Sequence, residues 1–295
     1  MAALSTKLSR PCSADEKTVA HCLSCCYKRP KMSYLSSHTK EPVVLPIVKA
    51  FIITIVSIIF AVPVMAEAPP VVLFDQGHNQ RFLVNREGRL QLTGLAGIFK
   101  AQGFRVAPHE RPIDPQTLAG IRALVISGPF NPFTPSEIES IAGYLDKGGN
   151  LAVMLHIGVP LTPLLDLLGV RVSGNVIHEQ ENILKDNDLY FKVTRLESGP
   201  LTSGVEQFSF YGGWGLMNDG PDIKVVATTG EKSWIDLNGD RKLSTGDALQ
   251  PFAVIVSGTY GKGRFVVFGD DAIFQNQFLD DNNSRLATNL AHWLK

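Results

Sequence analysis

Short apolar runs alternate with helical spacings along most of the chain. Pro70 to Asp75 is a short apolar run ending in an acid, the pattern of a strand buried on both faces. Leu90, Leu92, Leu95, Ala96, Ile98 and Phe99 then recur at helical spacing, and Gly103 supplies the stop. Phe104 to Ala107 and Ala123 to Ser127 read as the second and third strands, the third bounded by Gly128-Pro129. Thr134-Pro135-Ser136-Glu137 starts a helix: threonine caps, proline suits the first turn, and the glutamate reaches back to complete a capping box. Ile138, Ile141, Ala142 and Leu145 form one face of that helix, and Gly148-Gly149 ends it. Leu151 to Leu155 is a fourth strand, and Leu161 to Leu168 a short helix before Gly169. A β-α-β-α-β-α-β order of this kind predicts an α/β fold. Its sheet would be doubly wound and mostly parallel, with helices on both faces and right-handed crossovers.

Residues 170–260 change character. They are rich in Gly, Asn, Asp and Thr, with short runs at Tyr190–Thr194, Ile223–Thr228 and Pro251–Val256. This reads as a partly antiparallel, β-rich insertion. Arg264 to Phe268 is one more buried strand, preceded by Gly261-Lys262-Gly263. A phosphate cradle needs its glycines after a strand and before a helix, so this order predicts a hairpin turn instead. Asn282 to Leu294 closes the fold as a helix with Leu286, Leu290, Trp293 and Leu294 inward.

The uncharged run at residues 50–66 is 17 residues long, follows Lys40 and Lys49, and ends in Val64-Met65-Ala66. A basic flank, an apolar core and a small residue at the end describe a secretory signal peptide cleaved after Ala66. An uncleaved anchor of the same residues is the alternative, at the short edge of spanning length. The expected division is thus a leader over 1–66 and one α/β domain over 67–295, exported to the periplasm or secreted. Met32 is a second candidate start. All four cysteines, Cys12, Cys22, Cys25 and Cys26, lie in the leader. The domain has none, which excludes disulfides, thiolate catalysis and cysteine-bound zinc there.

The whole chain has 28 Lys/Arg and 28 Asp/Glu among 295 residues, but the balance hides an asymmetry. Residues 1–66 hold eight Lys/Arg against three Asp/Glu, and the remainder twenty against twenty-five. An acidic domain argues against nucleic acid as partner and leaves membrane contact to an uncleaved leader.

In open α/β sheets ligands bind at the carboxyl ends of strands. Those ends carry Asp75, His78 and Asn79, then Ser127 and Asn131, then His156, and last Asp270 and Asp271. These eight are the candidate ligand-binding residues, and Asp75, His78, His156 and Asp270 the candidates for acid–base or metal-assisted hydrolysis. Each also has a structural use, as a loop-capping acid or a hydrogen-bonded core histidine. No nucleophile elbow appears: the place for one reads Met154-Leu-His156-Ile-Gly158.

Asp236-Leu-Asn238-Gly-Asp240-Arg-Lys242-Leu-Ser244-Thr-Gly-Asp247 resembles a calcium loop of the dockerin and EF-hand kind. Oxygen-bearing residues alternate as a hard cation requires, with Lys242 at the position that offers a carbonyl. Arg241 replaces the usual glycine, Asp247 the usual glutamate, and the flanks read as strands. A polar hairpin loop that folds without metal is the alternative; bound calcium would stiffen the loop without a catalytic role.

From Val71 onward the chain resembles the class I glutamine amidotransferase-like superfamily, within an uncharacterised bacterial branch. The resemblance is carried by Phe74-Asp75 with His78, Phe133-Thr-Pro-Ser-Glu137, Gly148-Gly-Asn-Leu151, Gly261-Lys-Gly-Arg264, Gly269-Asp270, and Asn282, Asn289 and Trp293-Leu294. It implies a flavodoxin-like arrangement of the sheet. Catalytic members place a cysteine at the elbow, with His and Glu later. His156 occupies that neighbourhood here, so the resemblance implies a non-catalytic, partner-binding relative rather than an amidotransferase. The expectation is therefore an exported binding domain for a small polar ligand, glycan or envelope protein. A cysteine-independent hydrolase and a structural envelope protein are its rivals. Phe208, Phe210, Tyr211 and Trp214 are candidates for an aromatic contact surface, with core packing as the alternative.

Overall fold

The computed structural model describes residues 68–220 and 222–295. The expected leader, with its apolar run and four cysteines, lies outside them. The described residues belong to one compact unit.

The strands in chain order are β1 (Val71–Asp75), β2 (Arg105–His109), β3 (Ala123–Ser127), β4 (Asn150–Met154), β5 (Val170–Val176), β6 (Ile183–Leu184), β7 (Asn187–Val193) and β8 (Arg195–Leu196). They continue as β9 (Phe208–Tyr211), β10 (Trp214–Asn218), β11 (Lys224–Thr228), β12 (Trp234–Ile235), β13 (Ala248–Leu249), β14 (Ala253–Tyr260) and β15 (Gly263–Phe268). The helices are α1 (Thr93–Ala101), α2 (Pro135–Asp146), α3 (Thr162–Leu168) and α4 (Asp281–Leu294). The central sheet runs β2-β1-β3-β4-β15-β14-β10-β5, with β11 beside β14 and β8 beside β11. The five strands from β2 to β15 are parallel; β14, β10 and β5 are antiparallel additions. The fold is mixed α/β with a mostly parallel central sheet, as expected.

Two cores cover the two faces of the sheet, because alternate residues of a strand point to opposite sides. Val72, Phe74, Val125, Met154, Val266 and Phe268 meet α1 and α4 on one face. Leu73, Leu124, Ile126, Val153, Phe265 and Val267 meet α2 and α3 on the other. Ile141 and Leu145 of α2 are wholly buried there, roughly 1.5–3 kcal/mol each. The capping box of α2 forms as the sequence predicts: the Thr134 hydroxyl accepts from the Glu137 N–H, and the Glu137 carboxylate accepts from the Thr134 N–H.

The link between β2 and β3 departs from the expected alternation. Residues 115–120 form turns and not a crossover helix. Pro112 and Pro115 remove backbone donors, and the Asp114 carboxylate accepts from the Thr117 N–H at 2.6 Å, holding a turn. At Gly261, φ is +56°, and β14 and β15 pair from Tyr260 opposite Gly263, so the glycine–lysine stretch is the hairpin turn expected of it. Residues 170–260 contribute the antiparallel strands, a three-stranded sheet β6-β7-β9 and a ribbon β12-β13. Asn283 of α4 ties this region down: it accepts from the Ser209 N–H and donates to the carbonyls of Ser209 and Ile273.

Candidate functional site

Strand order reverses at β1, since β2 lies on one side of it and β3 on the other. The parallel strands place Asp75, Ser127, His156 and Asp270 at one edge of the sheet. They do not form one cluster there; the geometry divides them.

The first group is buried. His78 Nδ1 contacts Asp75 Oδ2 at 2.8 Å, and its Nε2 contacts Glu137 Oε1 at 3.1 Å. Gln80 Nε2 donates to the same Asp75 Oδ2, and the Gln80 side-chain Oε1 accepts from the His78 N–H. Phe133 stacks on the imidazole, 3.7 Å between centroids. Burial opposes a charge on His78, but hydrogen bonding and attraction from Asp75, then Glu137, outweigh it and raise its pKa. Burial would raise the Glu137 pKa; bonds from Thr134 and Ile113 and the nearby His78 hold it below the ordinary value. This carboxylate–imidazole–carboxylate chain joins β1, the following loop and the start of α2. In the sequence Glu137 reads only as a helix cap; its second role, as the partner of His78, comes from the tertiary fold.

The second group is half exposed. His156 Nδ1 lies 3.0 Å from Asp271 Oδ1, with the imidazole side chain 36% exposed and the carboxylate 1%. Against an acceptor-only carboxylate the Nδ1 carries the proton, so Nε2 faces outward. Phe82 and Phe130 flank the ring at 5.2 Å each. The Trp214 indole donates to the His156 carbonyl at 3.0 Å. The bond from Asp271 raises the His156 pKa against burial and the repulsion of Arg81. Gly128, at φ +55°, lets the chain pass over this pair; a Cβ there would lie 2.3 Å from Asp271 Oδ2. Asp271 Oδ2 and the Ser127 hydroxyl are buried without a hydrogen-bond partner.

The strand-end candidates differ in burial and partner. The carboxylate beside His156 is that of Asp271. Asp270 is sealed: it accepts from the N–H groups of Tyr211 and Ala272, and burial and the adjacent Asp271 push its pKa well up. Asn79 and Asn131 are exposed, and Asn131 takes part through its backbone N–H, which donates to the His78 carbonyl. His78 and His156 also belong to different surroundings: Phe133 lies in the core under α2, whereas Phe82 packs on the core under α1 and α4. The expected aromatic surface divides likewise. Phe208 and Phe210 are core residues, Tyr211 stacks on Phe278 at 3.9 Å, and Trp214 braces His156.

Oxygens of Asp236, Asp240 and Asp247 come within 4.8 Å of one another in the 236–247 loop. Asp236 accepts from the N–H groups of Asn238, Gly239 and Arg241, and Asp247 from those of Leu237 and Ser244. Burial opposes the charge on Asp236, and those backbone bonds hold its pKa below the ordinary value. Arg241 takes the left-handed φ of +61° that the usual glycine of such loops would adopt. Asn238 donates to the Ser244 hydroxyl, and Lys242 enters through its N–H, which donates to Asp240.

A cavity of about 720 Å³ lies at the opposite edge, where β3 and β4 begin. It is bounded by Leu118, Ile121, Arg122, Tyr144 and Lys147 and contains none of the candidate residues. It opens beside α2 where the helix-free 115–120 turns leave space.

Comparison with known proteins adds relatives. The chain is 26% identical over 246 residues to the intraflagellar transport protein 52 homolog of Mus musculus, covering 76% of this chain and 55% of that protein. For the Homo sapiens homolog the identity is 23% over 243 residues, covering 76% and 53%. The chain thus spans about half the length of the curated relatives it matches. Among solved structures, the mmIFT52 N-terminal domain shares the fold, with a TM-score of 0.61 at 20% identity over 76% of this chain and 96% of that one. A putative ThuA-like protein from Bacteroides uniformis ATCC 8492 aligns with a TM-score of 0.48 at 13% identity over 78% and 93%. A family model described as Domain of unknown function (DUF4350) matches residues 86–291, more than half of the sequence, and the chain belongs to that family.

Proposed function

We propose that this protein is an exported, non-catalytic binding domain of the amidotransferase-like class, with the strand-end surface around His156 as its contact site. One observation carries the reading: of the acids and histidines gathered at this edge, His156 alone keeps its side chain half exposed while a buried carboxylate holds it. Asp75, His78 and Asp270 are committed to internal hydrogen bonds. A strand order of β2-β1-β3-β4-β15 supports the flavodoxin-like layering of that class. The absence of cysteine from residue 67 onward removes the nucleophile of its catalytic members. The ligand is a small polar molecule, a glycan or an envelope protein. Export through the leader would place the domain in the periplasm or outside the cell, or on the membrane if residues 50–66 stay attached.

The His156–Asp271 pair also favours one rival, hydrolysis by water activated at His156. Native mass spectrometry of the purified protein, with assays of ester, amide and glycoside turnover, separates the two. A co-purifying molecule lost in His156→Ala, with no turnover, is the expected result. Turnover abolished by the same substitution would refute the non-catalytic reading.

Calcium is proposed as a stabiliser of the 236–247 loop, supported by the convergence of Asp236, Asp240 and Asp247. Calorimetric titration should give a weak heat that Asp236→Ala removes. No heat with the unaltered protein would show that the loop folds as a plain polar hairpin.

A further inference from the structure

The groups around His156 carry more information than the presence of a contact site. Asp271 is fully buried, and Asp270 nearly so. Their oxygens face His156, backbone N–H groups, or, for Asp271 Oδ2, the underside of Gly128. None of these acceptors turns outward. The charged group that joins His156 at this surface is Arg81, whose guanidinium carbon stands 4.7 Å above the Phe130 ring. That same ring lies against His156. Arg81 is exposed and makes no ion pair among the described residues. The loop it belongs to, residues 76–92, adds Arg86 and Arg89 against a single acid, Glu87.

We infer that this surface recognises an oxyanion, a carboxylate or phosphate ester, carried on an aromatic or apolar body. The inference rests on the binding reading above and names its ligand class. The headgroup would be held between the Arg81 guanidinium, a planar fork suited to such anions, and the outward Nε2 of His156. Phe82 and Phe130 would receive the body. The charged groups that face His156 are Asp271, Asp270 and Arg81. The two acids favour the imidazolium and Arg81 opposes it. An anion between Arg81 and His156 removes that opposition, so binding takes up a proton.

The experiment is an NMR titration of the His156 ring nitrogens in the purified protein, using phenylacetate, phenyl phosphate and the uncharged phenylacetamide. The two anions should shift the Nε2 resonance saturably and the amide should not; the stronger anion identifies the headgroup. Arg81→Ala, a change at an exposed side chain, should weaken anion binding about tenfold, the loss of one charge-assisted contact. Affinity should fall about tenfold per pH unit above the His156 pKa. If phenylacetamide binds as well as phenylacetate, or neither anion moves His156, the anion inference is overturned while the broader binding reading stands. Hydrolysis of phenyl acetate that His156→Ala abolishes would overturn the non-catalytic reading and leave anion recognition in place.

Discussion

Replacing Glu137 by alanine should cost this fold about 3–5 kcal/mol, the range for removing one partner of a buried ionic group. The figure follows from what the carboxylate holds. One oxygen accepts from the Ile113 N–H at 3.0 Å and contacts His78 Nε2 at 3.1 Å. The other accepts from the Thr134 N–H at 2.9 Å and from the Thr134 hydroxyl at 2.7 Å. Ile113 is buried, so its orphaned N–H alone costs about 1–3 kcal/mol. Loss of the helix cap adds about 1 kcal/mol, and Thr134 is exposed enough for water to limit that part. The remainder comes from His78, which keeps only Asp75 as counter-ion. Glu137→Gln keeps one oxygen but turns an N–H₂ group toward donors, so it should fall between the wild type and alanine. Urea unfolding followed by circular dichroism measures the loss, with an unchanged slope against denaturant. A double-mutant cycle with His78→Ala should give a coupling of about 1 kcal/mol or more. A Glu137→Ala loss below about 1 kcal/mol, or no coupling, would refute the view that one carboxylate joins the cap to the imidazole.

Stability should rise as pH falls from about 8.5 to 6. His78 and His156 have folded pKa values raised above 6.5, so their contribution is complete below that value and is lost as pH rises through the folded ones. Asp270 and Asp271 are also raised, chiefly by burial, and their proton preference likewise favours the folded state at lower pH. Glu137 acts oppositely, but only in acid, where its depressed pKa makes stability fall as it protonates. A urea midpoint that stays flat between pH 8.5 and 6 would contradict the two histidine pairs. Gly128→Ala should destabilise by about 2–4 kcal/mol, from positive φ and from a Cβ driven into the Asp271 carboxylate, and should lower the His156 pKa seen by NMR. Arg241→Gly should raise stability by up to about 1 kcal/mol in thermal unfolding, because glycine adopts the left-handed φ there without strain.

The layers of the fold were legible because both-face burial writes itself as apolar runs. Pro70 to Asp75, Ala123 to Ser127 and Leu151 to Leu155 each mark a parallel strand, and Thr134 to Glu137 marks a helix start. The 115–120 turns were not legible as such, since the expectation of a crossover helix came from the global pattern and not from local residues. The prolines and the Asp114 turn overrode it. The insertion was legible only as β-rich. Its strands are half buried and pair with partners far along the chain, as β5 does with β10, so no local period fixes their order.

The candidate site was legible as an edge and illegible as a geometry, for one physical reason. Alternation tells which face a residue meets only while the chain stays a strand. Asp75 still obeys it, following Phe74 of the first core onto the side of Leu73, and its partner His78 duly stacks on Phe133 of the second core. Beyond Phe268 the chain leaves the strand at once, and a single step decides between Asp270, sealed under backbone N–H groups, and Asp271, aimed at His156. Composition cannot resolve that step, because the two acids are chemically alike. Gly128 can, in retrospect: a glycine held at positive φ beside a strand end marks where another side chain comes too close for a Cβ, and here that side chain is Asp271. The residue without chemistry therefore points to the pair that has it.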